Sequence, residues 1–271
     1  DPGRYTYDES GETNWRSLFR GTSYHNTVLV DGKNQTRYEW KKNRFKVTGS
    51  EPEREVKSFV TEPGIDYLHG VARSHEYPVV HERKVVFVNG EYWVIVDLLR
   101  ATEPHEYDLL FHLSPSAQDR VSVRVSDDTL SIHSPRLILA QPFIPNVRPS
   151  IQGGFVSTSY GEKHRAPIVR LTQRASSACF LTVLYPYKDK GNKPNISVET
   201  PEFDGPPQTL LFGERAAVRI TIARNGEWYR DDLLFTDQAA SHSEIPNWPF
   251  SSHVRVSRTD HNGRLLFRKQ A

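Results

Sequence analysis

The chain has 271 residues, with 35 Lys and Arg against 33 Asp and Glu, one Cys and no Met. The near-neutral charge argues against nucleic acid as a partner, and the single Cys179 excludes an internal disulfide framework. No apolar run approaches the roughly 20 residues that span a bilayer, so we expect no membrane span. Because residue 1 is Asp and Met is absent, we expect a processed chain or a piece of a longer one.

Strand signals recur along the chain, whereas no stretch of twelve or more residues shows helical periodicity. In chain order the predicted strands are 26–30, 44–48, 56–61, 67–74, 83–88, 92–98, 106–113, 121–125, 168–172, 178–185 and 217–223. Asn89-Gly90 predicts a type I′ turn between two of them, because both residues tolerate positive φ. The sequence predicts an all-β fold, a large antiparallel β-sandwich of two sheets.

The second half of the chain is interrupted by Pro, Gly and polar residues, which predict long rim loops. These loops are 141–150, 188–194 and 200–207. A last strand pair is expected around 254–256 and 265–267. We interpret residues 1–271 as one domain, with about 1–225 as the main sandwich and about 226–271 as C-terminal extension strands.

The first 35 residues hold the candidate functional groups. Asp1 and His25 carry oxygen and imidazole donors of the kinds zinc accepts, but an Asp and a His at this spacing are more often unrelated. Tyr5 and Tyr7 alternate with polar residues, which alone favours aromatic side chains on a sheet face. Arg20, which flanks the His25 motif, suits either the lining of a cleft or a packing or surface position.

Histidines elsewhere in the predicted strands have a simpler interpretation. His81, His105 and His112 are expected to be buried and hydrogen-bonded within the sheets. Cys179 lies in an apolar run between Ala178 and Phe180, which is typical of a core thiol.

The opening Asp-x-Gly-x-Tyr segment, the Phe19-Arg20 pair and the run from Tyr24 to Gly32 (YHNTVLVDG) resemble the heparinase II/III-like polysaccharide lyases, which include related alginate and oligoalginate lyases. Later strand segments follow in the same order up to about residue 225. The resemblance implies an N-terminal α/α toroid followed by a β-sandwich, with the present chain as the sandwich and the toroid missing.

The same resemblance implies a structural zinc ion. Its ligands in the family are a His from an upstream His-Gly-His motif, the Asp of the Asp-x-Gly segment and the His of the His-Asn-Thr motif. Asp1 and His25 match the second and third of these. A remnant with two ligands is expected to hold zinc poorly, since structural zinc normally has four donors.

The chemistry that the resemblance implies is β-elimination on a uronic-acid-containing polysaccharide, in a secreted or periplasmic bacterial enzyme. Tyr5 is then the candidate catalytic phenol, and Arg4 is a plausible carboxylate clamp because its planar fork suits bidentate binding. Tyr7 and Arg20 are further candidates for substrate contact. Most other catalytic groups are expected on the toroid, so the isolated chain is expected to be inactive.

A non-catalytic carbohydrate-binding or scaffold sandwich is the alternative. Aromatic side chains stack on sugar faces as readily as they pack in a core. The candidates are Trp15, Trp40, Trp93, Trp228 and Trp248. The residues that precede Asp1 would discriminate between the two functions, because a His-Gly-His motif and a helical toroid belong to the lyase alone.

Overall fold

A computed structural model of the chain describes residues 2–9, 12–42, 44–126, 128–188, 191, 193–200, 215–236 and 254–271. Within these ranges the fold is all-β, as predicted, with one short helix, α1 (Trp15–Arg20), and two 3₁₀ turns, at Thr22–Tyr24 and Pro115–Ala117. The strands are β1 (Val28–Val30), β2 (Tyr38–Lys41), β3 (Arg44–Val47), β4 (Glu53–Glu62), β5 (Ile65–Arg73), β6 (Val80–Val88), β7 (Tyr92–His112), β8 (Ser122–Ser126), β9 (Thr129–His133), β10 (Leu137–Pro142), β11 (Arg148–Ser159), β12 (Glu162–Pro186), β13 (Asn195–Glu199), β14 (Arg215–Arg224), β15 (Glu227–Thr236), β16 (Val254–Asp260) and β17 (Leu265–Gln270).

The strands form two large sheets and a small hairpin, with every pairing antiparallel. The ten-stranded sheet has the order β4-β5-β6-β7-β12-β10-β9-β8, with β1 also beside β7 and β11 also beside β12. The second sheet has the order β13-β14-β15-β16-β17, and β2 and β3 form a two-stranded hairpin. The predicted sandwich of two large antiparallel sheets is therefore confirmed. β14 and β15, which lie on either side of residue 225 in the chain, pair with each other in the second sheet.

Two very long strands organise the larger sheet. β7 has 21 residues and β12 has 25, and they pair along most of their lengths. The register shifts between Ala175 and Ser177, so that His105 pairs with the first of these and Arg100 with the second. β1 joins the far half of β7, where Val28 pairs with Leu109. The C-terminal half of β7 therefore contacts the N-terminal region of the chain through β1.

The central part of the large sheet is buried on both faces. Ile138 and Ala140 belong to a core shared with the five-stranded sheet, whereas Leu139 between them belongs to a second core on the opposite face. Val28 contributes to this second core together with residues of β7 and β12. Burying each such aliphatic side chain stabilises the fold by about 1.5–3 kcal/mol. The second core thus supports the strand that follows the His25 motif.

The predicted turn at Asn89-Gly90 is confirmed, with φ of 51° and 71°. The predicted rim loop at 141–150 is wrong in extent, because β10 ends at Pro142 and β11 begins at Arg148. Among the described strands, β11 pairs only with β12, and such an edge strand tolerates Pro149, which has no N–H to donate. The predicted loop at 200–207 lies outside the described residues apart from residue 200.

A buried polar network links the two sheets. Arg258 donates to both carboxylate oxygens of Asp231, through Nε and Nη2 at 2.7 Å each. The Tyr92 hydroxyl donates to the same carboxylate at 2.6 Å, and Glu91 accepts from Arg258 and from Tyr229, also at 2.6 Å. The Arg258 charge offsets that of the fully buried Asp231, whereas Glu91 is partly exposed to solvent. Among the described residues, no helix is both long and apolar enough to cross a membrane.

Candidate active site

The N-terminal segment is fastened to the hairpin of β11 and β12. Ser157 N donates to the Pro2 carbonyl at 2.6 Å, and Gly161 N donates to the Tyr5 carbonyl at 2.8 Å. Gly3 between them has φ of 79°, and a Cβ atom there would lie 1.9 Å from the Ser157 carbonyl oxygen. Only glycine fits this close approach, which explains the Gly of the Asp-x-Gly segment in physical terms.

Helix α1 presents two guanidinium groups on one face. Asn14 caps the helix by accepting from Ser17 N at 3.0 Å, and the helix ends before Gly21. Arg16 and Arg20 are four residues apart and therefore share one side of the helix. Phe19 from the same helix is buried.

These two elements and the His25 turn enclose a cavity of about 730 Å³. Its described lining residues are Gly3, Arg4, Thr6, Tyr7, Arg16, Phe19, Arg20 and His25. Three guanidinium groups face this space, and none of its described lining residues carries a carboxylate. A cavity with this charge suits an anionic ligand, because guanidinium groups bind carboxylate and sulfate oxygens in bidentate fashion.

Tyr7 is the phenol that lines the cavity. Its hydroxyl is hydrogen-bonded to Arg4 Nη1. The Cζ atoms of Arg4 and Arg16 lie 5.0 and 5.5 Å from the centre of its ring. Glu9 accepts from Arg16 Nη1 at 2.9 Å, which holds that guanidinium near the ring. Tyr7 keeps 53% of its surface exposed, so a ligand can reach it.

Tyr5, by contrast, packs into an aromatic cluster beside the cavity and is not among its lining residues. Lys163 Nζ lies 4.4 Å from the ring centres of both Tyr5 and Trp15, and it donates to the Tyr5 hydroxyl at 3.4 Å. Phe19 and Phe155 complete the cluster. This environment anchors the segment that carries Arg4 and Tyr7 and points the Tyr5 hydroxyl at a lysine.

His25 is held by a short turn. Its backbone N–H donates to the Thr22 carbonyl at 3.1 Å, and its carbonyl accepts from Thr27 N at 2.9 Å. Burial lowers the pKa of the His25 imidazole, and a hydrogen bond to the Arg20 carbonyl offsets this only in part. The ring is therefore neutral at physiological pH, which is the form that ligates metals.

The residue after it, Asn26, joins the motif to two strands. Asn26 Oδ1 accepts from the backbone N of His112 at 2.8 Å and lies 3.1 Å from Nδ1 of the same histidine. The Asn26 carbonyl accepts from Arg83 Nη1 at 2.7 Å. Burial, with a further contribution from the positive charge that a protonated His25 would carry, lowers the pKa of His112 to about 4. The sequence predicts His112 only as a buried, hydrogen-bonded histidine. Its contact with Asn26 was not predictable, because 86 residues separate the two in the chain.

The proposed metal ligands are only partly described. Asp1 lies outside the described residues, and His25 lines the cavity. Within the described ranges, no group of three or more His, Cys, Asp or Glu side chains is arranged to hold a metal ion. The neutral imidazole of His25 fits the donor chemistry of zinc.

A second cavity, of about 320 Å³, has Thr27, His81 and Arg83 among its lining residues. His81 Nε2 and Arg83 Nε each lie 2.6 Å from Oδ1 of the fully buried Asp97. Burial alone would raise the pKa of Asp97, but the Arg83 charge and the His81 hydrogen bond hold it at about 2. The prediction that His81 is hydrogen-bonded within the sheet is confirmed. His105 likewise bonds Asp31, at 2.7 Å.

The four tryptophans that the structure describes lie on four different elements, with Trp15 on α1. Trp40, Trp93 and Trp228 are partly exposed, on β2, β7 and β15, and the Trp93 ring stacks on Phe87 with ring centres 4.5 Å apart. Trp248 lies outside the described residues. The predicted core thiol is confirmed, because Cys179 is buried.

Comparison with known proteins adds a family and a set of relatives. The family model described as "Heparinase II/III-like, C-terminal" matches residues 1–199. A heparin-sulfate lyase from Bacteroides stercoris is 25% identical over 210 residues, which are 73% of this chain and 28% of that protein. The chain thus spans little more than a quarter of the length of this curated relative.

Solved structures give the same picture of the fold. The crystal structure of a heparan sulfate lyase from Pedobacter heparinus matches with a TM-score of 0.66 and 18% identity, over 89% of this chain and 35% of that one. A heparinase III structure matches with a TM-score of 0.62 and 20% identity, over 87% and 33% of the two chains. At these identities the likeness establishes the β-sandwich fold of the chain. The match covers about one-third of each of the two solved chains.

Proposed function

The chain belongs to the heparinase II/III-like family, and we propose that it is the β-sandwich part of a polysaccharide lyase that cleaves uronic-acid-containing glycans by β-elimination. The observation that carries this proposal is the cavity of about 730 Å³ with Arg4, Arg16, Arg20 and Tyr7 in its lining. Cationic groups on several sides suit a polymer that bears carboxylates and sulfates. The names of the relatives make a glycan of the heparin or heparan sulfate type the first substrate to test.

β-Elimination requires a base, an acid and stabilisation of negative charge. The base removes the proton alpha to the uronate carboxylate, the bond to the leaving glycosidic oxygen breaks, a carbon–carbon double bond forms, and the leaving oxygen takes up a proton. Charge builds on the carboxylate as the proton leaves, so fixed cations beside it lower the barrier. Arg4 and Arg16 are the groups that we assign to this stabilisation, because their guanidinium groups flank Tyr7 in the cavity.

Among the phenols of this segment, the cavity favours Tyr7 for contact with the substrate and for proton transfer. Its hydroxyl is hydrogen-bonded to Arg4, which fixes the position of the phenol in the cavity. Tyr5 as the catalytic residue stays a prediction from the family resemblance, and its contact with Lys163 fits an anchoring role better. Arg20 is assigned to binding of an anionic group at the rim.

We assign His25 and Asp1 as two ligands of a structural zinc ion. The neutral His25 imidazole at the cavity wall supports this assignment, and oxygen and nitrogen donors are ordinary zinc ligands. When bound, zinc would fix the relative positions of the N-terminal segment and the His25 turn. The whole protein would add an α/α toroid that contacts this face, and it would act in the periplasm or outside the cell.

The test is an assay of the full-length protein that contains this chain, on heparan sulfate, alginate and hyaluronan. The expected product is an unsaturated uronate, detected by its ultraviolet absorbance. Absence of that product with every polymer would refute the lyase assignment. Binding of a glycan without product would instead support the alternative, a non-catalytic carbohydrate-binding or scaffold domain. A full-length protein that lacks stoichiometric zinc would remove Asp1 and His25 from the ligand assignment.

A further inference from the structure

Tyr160 lies at the tip of the hairpin that joins β11 to β12. Ser159 at the end of β11 pairs with Glu162 at the start of β12. Tyr160 and Gly161 therefore form the two-residue turn between the strands. Tyr160 keeps 64% of its surface exposed. A single exposed aromatic ring is ordinary on a protein surface, so its neighbours decide whether it has a function.

The turn that carries Tyr160 is held against the N-terminal segment. Gly161 N donates to the Tyr5 carbonyl at 2.8 Å. Lys163, on β12, donates to the Tyr5 hydroxyl at 3.4 Å, and its Nζ lies 4.4 Å from the centre of the Tyr5 ring. The hairpin thus contacts both the backbone and the side chain of Tyr5. A surface held in place in this way loses little backbone freedom when a ligand binds to it.

The ring of Tyr160 contacts that of Tyr7. Their centres are 5.8 Å apart, and their planes are inclined by 34°. This separation lies within the range in which aromatic rings attract each other. Tyr7 lines the cavity of about 730 Å³ and is also more than half exposed, whereas Tyr160 lies outside the described lining. Two residues that are far apart in the sequence therefore form one exposed aromatic surface, which begins in the cavity and ends at the hairpin.

The charges beside this aromatic surface indicate the ligand that it fits. Arg4 is hydrogen-bonded to the Tyr7 hydroxyl, and the Cζ atom of Arg16 lies 5.5 Å from the centre of the Tyr7 ring. An acidic glycan offers carboxylates or sulfates to guanidinium groups and the C–H faces of its sugar rings to aromatic side chains. A small inorganic anion would use the guanidinium groups alone, and an apolar peptide would use the rings alone.

We propose that Tyr160, together with Tyr7, stacks against a sugar ring of the glycan, so that the hairpin of β11 and β12 supplies a substrate-binding residue. This inference rests on the proposed lyase function and extends its site from the cavity to the hairpin. The role of Tyr160 is in binding and not in proton transfer. A contact that is equally strong in the ground state and the transition state lowers KM and leaves kcat unchanged.

The test is steady-state kinetics of the full-length protein that contains this chain, with heparan sulfate as the probe. Tyr160→Ala is expected to raise KM about fivefold, because it removes the stacking ring. Its kcat should stay within about twofold of the unmodified value. Tyr160→Phe should keep both parameters, since the ring remains and only the hydroxyl is lost. Thermal denaturation should give the same midpoint for all three proteins, because the side chain is exposed.

Phe59→Ala is the matched control. Phe59 is 72% exposed, so the substitution also removes an exposed aromatic ring. It lies on β4, and β5, β6 and β7 separate that strand from β12 in the large sheet. We expect its KM to equal that of the unmodified protein.

The outcomes separate this inference from the lyase function. An unchanged KM in Tyr160→Ala, or a loss confined to kcat, would overturn the stacking role and leave the lyase assignment standing. An equal rise of KM in Tyr160→Phe or in Phe59→Ala would overturn it as well. If the unmodified protein releases no product from any polymer, the lyase function fails, and calorimetric titration with heparan sulfate decides on Tyr160. Weaker binding by Tyr160→Ala would then support the stacking role, whereas equal affinity or no binding would overturn it.

Discussion

Arg83 connects a buried carboxylate to the backbone of the His25 motif, because its Nη1 donates to the Asn26 carbonyl at 2.7 Å while its Nε donates to Asp97 at 2.6 Å. Asp97 is fully buried on β7, whereas Asn26 lies in the turn before β1. One planar guanidinium thus satisfies an acceptor on each element. The position of the motif is therefore coupled to the interior of the large sheet.

Replacing Arg83 with Met is expected to lower the free energy of unfolding by about 3–5 kcal/mol, since Asp97 would keep its buried charge with only His81 beside it. Urea denaturation monitored by tryptophan fluorescence measures this change. Arg54→Met is the control, because Arg54 pairs with Glu51 at the surface, where the two side chains are 73% and 78% exposed. Such a pair contributes about 1 kcal/mol at most. Equal losses in the two variants would contradict the assigned role of Arg83.

Acid is expected to destabilise the fold partly through Asp97. Its pKa is about 2 when folded and 3.8 in the reference state, so the unfolded chain binds the proton more readily. The contribution, about 2 kcal/mol, is fully present above pH 4 and is lost as the pH falls from about 4 to 2. Unfolding free energies measured across this range should fall less steeply in Asp97→Asn, and the slope that remains is expected from Glu82, whose pKa is also about 2.

Glu39→Gln is the control for that experiment. Glu39 pairs with Lys41 on the exposed hairpin of β2 and β3, where water screens the interaction. Its variant should keep the full acid dependence of the unmodified chain. An Asp97→Asn curve that runs parallel to the unmodified one would show that Asp97 does not titrate in this window.

Local structure was predictable where local residues decide it. Asn89-Gly90 specifies its turn because both residues must adopt positive φ, and the structure has them there. β7, by contrast, was predicted as two strands separated at 99–105, and β12 as two separated at 173–177. Each is one strand, because the two pair with each other across a register shift. That pairing is a long-range property, which hydrophobic periodicity does not encode.

The candidate site was likewise predictable only where its residues are close together in the sequence. Arg4, Tyr7, Arg20 and His25 lie close together in the sequence, and the structure places all four around one cavity. Arg16 was missed, although its spacing of four from Arg20 on a short helix was a usable signal. The contact of Asn26 with His112 was not predictable, since it depends on β1 lying beside the far half of β7.

The network at the interface of the two sheets predicts a second stability effect. Arg258→Met should lower the free energy of unfolding by about 3–5 kcal/mol, because the buried Asp231 would lose its guanidinium partner and keep Tyr92 as its donor among the described side chains. Adding Asp231→Leu to that variant should restore part of the loss, since the buried charge disappears with its partner. Guanidinium denaturation of the single and double variants gives the coupling free energy.

Arg219→Met is the matched control for the network, because Arg219 donates to Asp232 at 2.8 Å from the same sheet but is about one-third exposed. A loss of about 1 kcal/mol or less is expected there. A double variant that is less stable than Arg258→Met alone would contradict the view that an unpaired Asp231 carboxylate causes the loss.

Tyr7 and Tyr5 offer the sharpest test of the chemistry, because the same loss of a hydroxyl has different consequences at the two positions. Tyr7→Phe in the full-length protein should lower kcat by about 10²–10⁴-fold if the phenol transfers a proton. Tyr5→Phe should change kcat by only a few-fold, since its hydroxyl contacts Lys163 and its ring would still pack against Trp15. Rates of ultraviolet-absorbing product at saturating glycan measure both. The reverse order would return the catalytic role to Tyr5, whereas a rise in KM alone for Tyr7→Phe would make Tyr7 a binding residue held in place by Arg4.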